Sequence, residues 1–229
     1  MRAAIYFAPP PGAKLSGLAA QWLGRDAFTD TATRAPDPAL DALVADPARY
    51  GFHATMKAPF RLAEGEDLAA LDGHLASFCA ERSGVAIREL VLSRIGAFFA
   101  LVPADREPDL HALADAAVTR FEPFRAPLTE TETAKRRPER LSERQRAYLG
   151  KWGYPYVFDE FRFHMTLTGP VPDEDAPAMT ERLADRFDPF IGRPLELDGL
   201  ALFVERKAGG PFSVHSRHAF GRTTSSGKP

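Results

Sequence analysis

The sequence predicts an α+β protein of two lobes, and two observations carry that prediction. The first is the order of elements, in which a strand, a helix and a hairpin follow one another in each half of the chain. The second is a rough internal symmetry. A His-x-Thr strand opens each series, at residues 53–55 and 164–166, and the two histidines lie 164 − 53 = 111 residues apart in a chain of 229. A second similarity, Phe121-Glu-Pro-Phe124 against Phe187-Asp-Pro-Phe190, competes with that register. Both segments also read as helix stops, since proline cannot continue a helix. The symmetry therefore does not establish a duplication.

Taken in order, Ala3 to Ala8 is an apolar, aromatic run that stops at Pro9-Pro10-Pro11-Gly12, and it predicts a buried strand ended by a turn. Leu15, Leu18, Ala19 and Trp22 follow at helical spacing. Asp26 to Pro47 is polar and proline-bearing, and is expected to be mostly loop. Tyr50 to Phe60 reads as a strand. Leu68, Leu71, Leu75, Phe78 and Cys79 line one face of a helix. Val85 to Val102 holds two apolar runs parted near Gly96, a hairpin pattern. Leu110, Leu113, Ala117 and Phe121 make the next helix. Charges dominate from Thr129 to Tyr148, read as a loop and a short exposed helix. A strand is expected over Phe161 to Thr168, and a helix around Met179, Leu183 and Phe187. Leu195 to Val204 and Phe212 to Phe220 form a second hairpin about Gly209-Gly210. The expected organisation is one domain over 1–221, a basic insertion at about 129–150, and a disordered tail at 222–229.

Composition narrows the function. With 45% hydrophobic residues the chain can bury a sizeable core. A formal charge of −2 and a pI near 6.3 do not match a protein that tracks long nucleic acid. They leave room for a small phosphorylated ligand held by a local basic patch. The single cysteine, Cys79, excludes an internal disulfide framework and a cysteine-rich zinc site, which favours a reducing cytoplasm. The N-terminus lacks the apolar stretch of a signal peptide, and no run approaches the ~20 apolar residues of a membrane span. The expected protein is cytoplasmic, with no membrane partner.

The two motifs carry the chemistry. In Phe52-His53-Ala54-Thr55-Met56-Lys57, strand alternation puts His53, Thr55 and Lys57 on one face. In Phe161 to Thr168 it puts Arg162, His164, Thr166 and Thr168 on the polar face. Cleaving a phosphodiester needs a base for the attacking oxygen and an acid for the leaving oxygen. Histidine suits both, because its unperturbed pKa lies near neutrality. A threonine two residues on projects the same way, and its hydroxyl can donate to a phosphate oxygen. Lys57 or Arg162 adds positive charge. One His-x-Thr alone carries little weight, since threonine is common in strands; the pair carries the inference.

The segments Gly51-Phe-His-Ala-Thr-Met-Lys-Ala-Pro-Phe60 and Phe161-Arg-Phe-His-Met-Thr-Leu-Thr-Gly169 resemble the 2H phosphoesterase superfamily, named for its two His-x-Ser/Thr motifs. More narrowly, the chain from Met1 to about Phe220 is similar to a bacterial branch of unknown function associated with phosphonate metabolism. The resemblance implies a bilobal fold with two antiparallel sheets around a central cleft and helices outside. It implies His53 and His164 as the catalytic pair, Thr55 and Thr166 as phosphate contacts, and no cofactor. The activity it implies is metal-independent hydrolysis of a small cyclic phosphodiester, a nucleotide or a phosphorylated ribose. An enzyme of 2′,3′-cyclic or 2′-5′ RNA ends is the alternative within the class. A non-catalytic nucleotide or sugar-phosphate binding module is the alternative outside it. Met56 departs from the leucine often found there, at a core-facing position.

The remaining candidates are weaker. Tyr154 and Tyr156 are candidate substrate contacts, or else strand and turn aromatics. The Lys135-Arg136-Arg137-Pro138-Glu139-Arg140 run reads as a solvated face, with a lid as the alternative. His74 and His111 are expected on helix surfaces. His215 and His218 lack a nearby carboxylate cluster, so no metal site is expected. Gly209-Gly210 is a hairpin turn outside any phosphate-loop pattern.

Overall fold

The structure, a computed structural model, describes residues 1–221. The expected tail at 222–229 lies outside the described residues. Ten strands and seven α-helices are found among the described residues, and eight of the strands form two four-stranded antiparallel sheets.

Strand β1 (Arg2–Phe7) is buried almost throughout. Its Ala3, Ile5 and Phe7 enter the main core, while Ala4 and Tyr6 enter a smaller cluster on the other face with Phe203 and Phe212. Helix α1 (Lys14–Leu23) buries Leu15, Ala19, Trp22 and Leu23 and ends at Gly24 in the left-handed conformation. A two-residue ribbon, β2 (Arg25–Asp26) with β3 (Thr31–Ala32), precedes α2 (Pro38–Tyr50).

Helix α2 corrects the loop expected over Asp26 to Pro47. Asp37 caps it by accepting from Leu40 N–H, and Pro38 occupies the first turn, where a missing N–H costs nothing. Pro47 lies inside the helix, so it leaves the carbonyl of Leu43 without its usual partner. Gly169 N–H donates to that carbonyl at 2.7 Å. The proline that argues against a helix thus becomes a docking point for the second histidine segment.

Strand β4 runs from Ala54 to Phe60, shorter than the expected Tyr50 to Phe60 because α2 claims Tyr50. Helix α3 (Leu68–Ala80) is capped by Asp67. The hairpin β5 (Val85–Ile95) and β6 (Phe98–Pro103) turns at Gly96, whose φ of 59° suits the first position of a two-residue turn. Helix α4 (Pro108–Arg120) follows. The basic segment holds two helices, α5 (Glu130–Lys135) and α6 (Glu143–Trp152), each opened by a capping box: Thr129 with Glu132 and Ser142 with Gln145. Strand β7 is only Met165–Thr166, against the longer strand expected. Helix α7 (Ala176–Phe187) precedes β8 (Arg193–Leu197), β9 (Gly199–Glu205) and β10 (Phe212–Ala219).

One sheet has the order β10-β9-β1-β4 and the other β7-β6-β5-β8. The run Leu195 to Val204, expected as one hairpin arm, breaks at Asp198 and is shared between the sheets. Each sheet ends in a strand that follows a histidine. Each also borrows the hairpin from the other half of the chain: β4 shares its sheet with β9 and β10, and β7 pairs with the β5–β6 hairpin. A single hydrophobic cluster takes Ile5 and Phe7 from one sheet and Ile87, Leu101 and Met165 from the other, so the two sheets share one core. No helix among the described residues is long and apolar enough to cross a membrane.

Candidate active site

His53 and His164 each stand one residue before the edge strand of a sheet, not within it. Both are half-buried and are fixed the same way. His53 Nδ1 lies 2.9 Å from the Gly51 carbonyl, and His164 Nδ1 lies 2.8 Å from the Arg162 carbonyl. A carbonyl only accepts, so Nδ1 carries the proton in both rings. In each neutral imidazole Nε2 is then the unprotonated, basic nitrogen. The same backbone step, residue i to i − 2, therefore sets one tautomer at two places 111 residues apart (164 − 53).

Gly51 is needed for that step. Its φ is 74°, and a Cβ there would meet the Ala27 Cβ at 2.4 Å. Gly51→Ala is expected to cost roughly 1–3 kcal/mol of stability and to lower activity by displacing the carbonyl that orients His53. Thermal unfolding and an assay on the same preparation check it; unchanged values for both would remove Gly51 from this role.

Burial pushes the His53 pKa down to about 4; the Gly51 bond opposes the shift and the charge of His164 adds to it. The His164 pKa is also lowered by burial, against the bond to Arg162. The effect of the His164 charge on His53 puts the two rings within electrostatic reach. Tyr6 of β1 stacks on His53, with ring centres 3.9 Å apart and planes inclined at 23°. Tyr6 pairs with Thr55 across β1 and β4, which puts both on the face of His53. Thr55 Oγ1 is 3.4 Å from His53 Nε2. Thr166 is half-buried in β7 opposite Ala100.

Thr55 and His164 line one cavity of about 440 Å³. Its walls also include Phe98 from the β5–β6 hairpin, Val118 from α4 and Gln145 from α6. Tyr154, Tyr156 and Arg162 complete the lining that the sequence singles out. Tyr154 and Tyr156 pack edge to face, 5.6 Å apart, and Tyr156 is 45% exposed. The basic segment is thus a wall of this cavity as well as a solvated face. Gln145 Nε2 donates to Glu160 at 2.8 Å and the Tyr148 hydroxyl to Asp159 at 2.7 Å.

Lys57 is corrected. A β-bulge at Met56 places two residues of β4 against one of β1, since Ile5 pairs with Lys57 while Tyr6 pairs with Thr55. The bulge breaks the alternation, and Lys57 turns to the core face. Its ammonium, on a residue 4% exposed, donates to the Val118 carbonyl near the end of α4 and to Glu122, at 3.0 and 2.9 Å. It holds α4 against β4 and is spent there. Arg162 is exposed on the cavity wall.

Arg136, at the end of α5, belongs to the basic run and stands beside a residue of the cavity lining. Its guanidinium lies 5.0 Å from the Tyr154 ring centre. Burial raises the hydroxyl pKa values of Tyr6 and Tyr154, and the Arg136 charge acts on both in the opposite sense. Tyr6 is missed by motif reading, because its pairing with β4 is long-range. Among the other histidines, His74 is exposed, while His218 Nε2 meets Asp72 at 2.7 Å on β10. His111 is half-buried against Phe161, 5.3 Å between ring centres, rather than a plain surface residue. Among the described residues no group of three or more His, Cys, Asp and Glu side chains is arranged to hold a metal ion.

Fold and cavity together define a mixed α/β protein whose two sheets each end in an edge strand preceded by a histidine, with a cavity lined by Thr55 and His164 but not by His53 or Thr166. The model of the family described as "Protein of unknown function (DUF1045)" matches residues 55–213, and the chain belongs to that family. It is 40% identical over 217 residues to ribose 1,5-bisphosphate phosphokinase PhnN of Laribacter hongkongensis (strain HLHK9), covering 93% of this chain and 50% of that protein. It is 38% identical over 229 residues to the protein of the same name from Janthinobacterium sp. (strain Marseille), covering 96% and 51%. The chain spans about half the length of the curated relatives it matches. Among solved structures, one described as a crystal structure of phosphoesterase aligns with a TM-score of 0.43 at 14% identity, over 96% of this chain and 99% of that one. TT0787 of Thermus thermophilus aligns with a TM-score of 0.45 at 16% identity, over 97% and 100%.

Proposed function

We propose that this protein is a 2H-type phosphoesterase that hydrolyses a small cyclic phosphodiester to a monoester, with His53 as base and His164 as acid. The observation that carries the reading is the matched tautomer lock, which leaves Nε2 as the working nitrogen of both rings. His53, the ring whose pKa is driven to about 4, is neutral over most of the pH range and suits the base. Its Nε2 takes the proton of the attacking water as the water oxygen bonds to phosphorus. His164 Nε2–H gives its proton to the leaving sugar oxygen as the phosphorus–oxygen bond breaks. An anionic phosphate beside His164 favours its protonated form. Thr55 and Thr166 donate to nonbridging oxygens, and Arg136 takes the electrostatic role first expected of Lys57.

The substrate proposed is a phosphorylated ribose bearing the cyclic ester, of the kind met in phosphonate breakdown. The name of the relatives, which concerns a ribose bisphosphate, supports this choice over RNA ends.

A panel of cyclic phosphates tests the reading. Turnover is expected to survive a chelator. The kcat/KM profile is expected to be bell-shaped, rising as His53 loses its proton near pH 4 and falling as His164 loses its own below the ordinary value of about 6.5. The optimum therefore lies on the acid side of neutrality. A single-limbed profile, or activity lost with chelator, overturns the mechanism.

A further inference from the structure

A second cavity, of about 340 Å³, adjoins the first across a wall made by Ile95, Phe161 and Arg162, which line both. Its lining carries two arginines and two carboxylates, and one of those carboxylates is already paired to an arginine outside the cavity. Arg106, His111 and Arg162 face it, and Ser93 adds a hydroxyl. Glu107 is already engaged, accepting from the Arg88 backbone N–H at 3.0 Å and from Arg88 Nε at 3.1 Å. Asp105 is exposed in the loop before α4. Arg106 and Arg162 are both exposed, and neither forms an ion pair among the described residues. Two guanidiniums and an imidazole around one hollow match a tetrahedral oxyanion, because a guanidinium offers paired N–H donors to phosphate oxygens. The backbone of Arg162 orients His164, and its side chain belongs to both cavities, so an anion here is held by a residue two positions from the proposed acid.

We infer that this second cavity is a subsite for a phosphate monoester carried by the substrate at a distance from the reacting ester. The inference deepens the proposed function and rests on it for the identity of the reacting group. It assigns the substrate to doubly phosphorylated sugars, with a cyclic diester at the histidines and a monoester at Arg106, His111 and Arg162. A plain cyclic nucleotide would leave the second cavity unfilled.

Two measurements test it. The first compares kcat/KM for a ribose cyclic phosphate with and without a second phosphate on C5. The second phosphate is expected to raise kcat/KM about tenfold to a hundredfold, the worth of a charge-assisted bond to arginine. In Arg106→Ala that ratio is expected to fall to about one. A ratio near one in the unsubstituted protein, or a ratio that Arg106→Ala leaves unchanged, overturns the subsite while leaving the phosphoesterase reading in place. The second measurement needs no turnover. Ribose 5-phosphate is titrated into the protein while the His111 imidazole resonance is followed by NMR. A saturable shift that Arg106→Ala abolishes supports the subsite even where no cyclic phosphate is hydrolysed. No saturable shift, or one that Arg106→Ala preserves, overturns it.

Discussion

His53→Ala and His164→Ala are each expected to lower kcat by roughly 10²–10⁴-fold, the usual worth of a positioned acid or base. Neither ring is part of the main hydrophobic cluster, so circular dichroism and the cooperativity of unfolding should stay close to those of the unsubstituted protein. The two losses should not add. Once one proton transfer is gone, the other group has no concerted step to serve, and the double variant should be about as slow as the slower single one. The pH dependence separates the roles further. His53→Ala should abolish the rising acid limb, which reflects a ring whose pKa burial drives to about 4. His164→Ala should abolish the falling limb. If either variant keeps more than about a tenth of the activity, that histidine has no part in proton transfer.

Tyr6→Ala is expected to be the most damaging change outside the histidines. Tyr6 is fully buried in a central strand, stacked on His53 and packed 4.9 Å from Phe203 between ring centres. Removing an aromatic ring from such a place costs about 3–5 kcal/mol. The hole opens directly under His53 and admits water to a ring whose pKa is low because it is desolvated. The His53 pKa should therefore rise toward the ordinary value, and the acid limb of the rate profile should move to higher pH with it. Tyr6→Phe keeps the stack and should leave the limb in place. Denaturant unfolding and the pH profile of both variants check this; an unmoved acid limb in Tyr6→Ala would show that the stack does not set the His53 pKa.

The hairpins and most helices were legible in the sequence because their signals are local. Gly96 and Gly209-Gly210 mark turns, and Leu71, Leu75 and Phe78 mark a helix face whatever they pack on. Helix α2 was not legible, because Pro38 and Pro47 read as breakers until the carbonyl of Leu43 finds Gly169. The histidine pair was legible as a motif, and alternation put Thr55 on the face of His53. The same alternation misplaced Lys57, since nothing local announces the bulge at Met56. Tyr6, the contact of Arg136 with Tyr154 and the second cavity were not legible, because each depends on which distant segments meet. The tautomer lock fell between these cases: Gly51-x-His and Arg162-x-His are visible, but the bond depends on the backbone leaving the strand one residue early.

The exchange of hairpins between the two sheets bears on how the molecule assembles. Strand β1 is made well before its neighbour β9, with Arg2 paired to Glu205 across a separation of 203 residues. Until that partner is synthesised, β1 has a bare hydrogen-bonding edge and an apolar face awaiting cover. Contacts of such range close slowly, because loop entropy is lost before any of them forms. The histidine-bearing halves therefore cannot mature one after the other on the ribosome. The edge of β1 is the surface a nascent chain has most reason to shield from its neighbours.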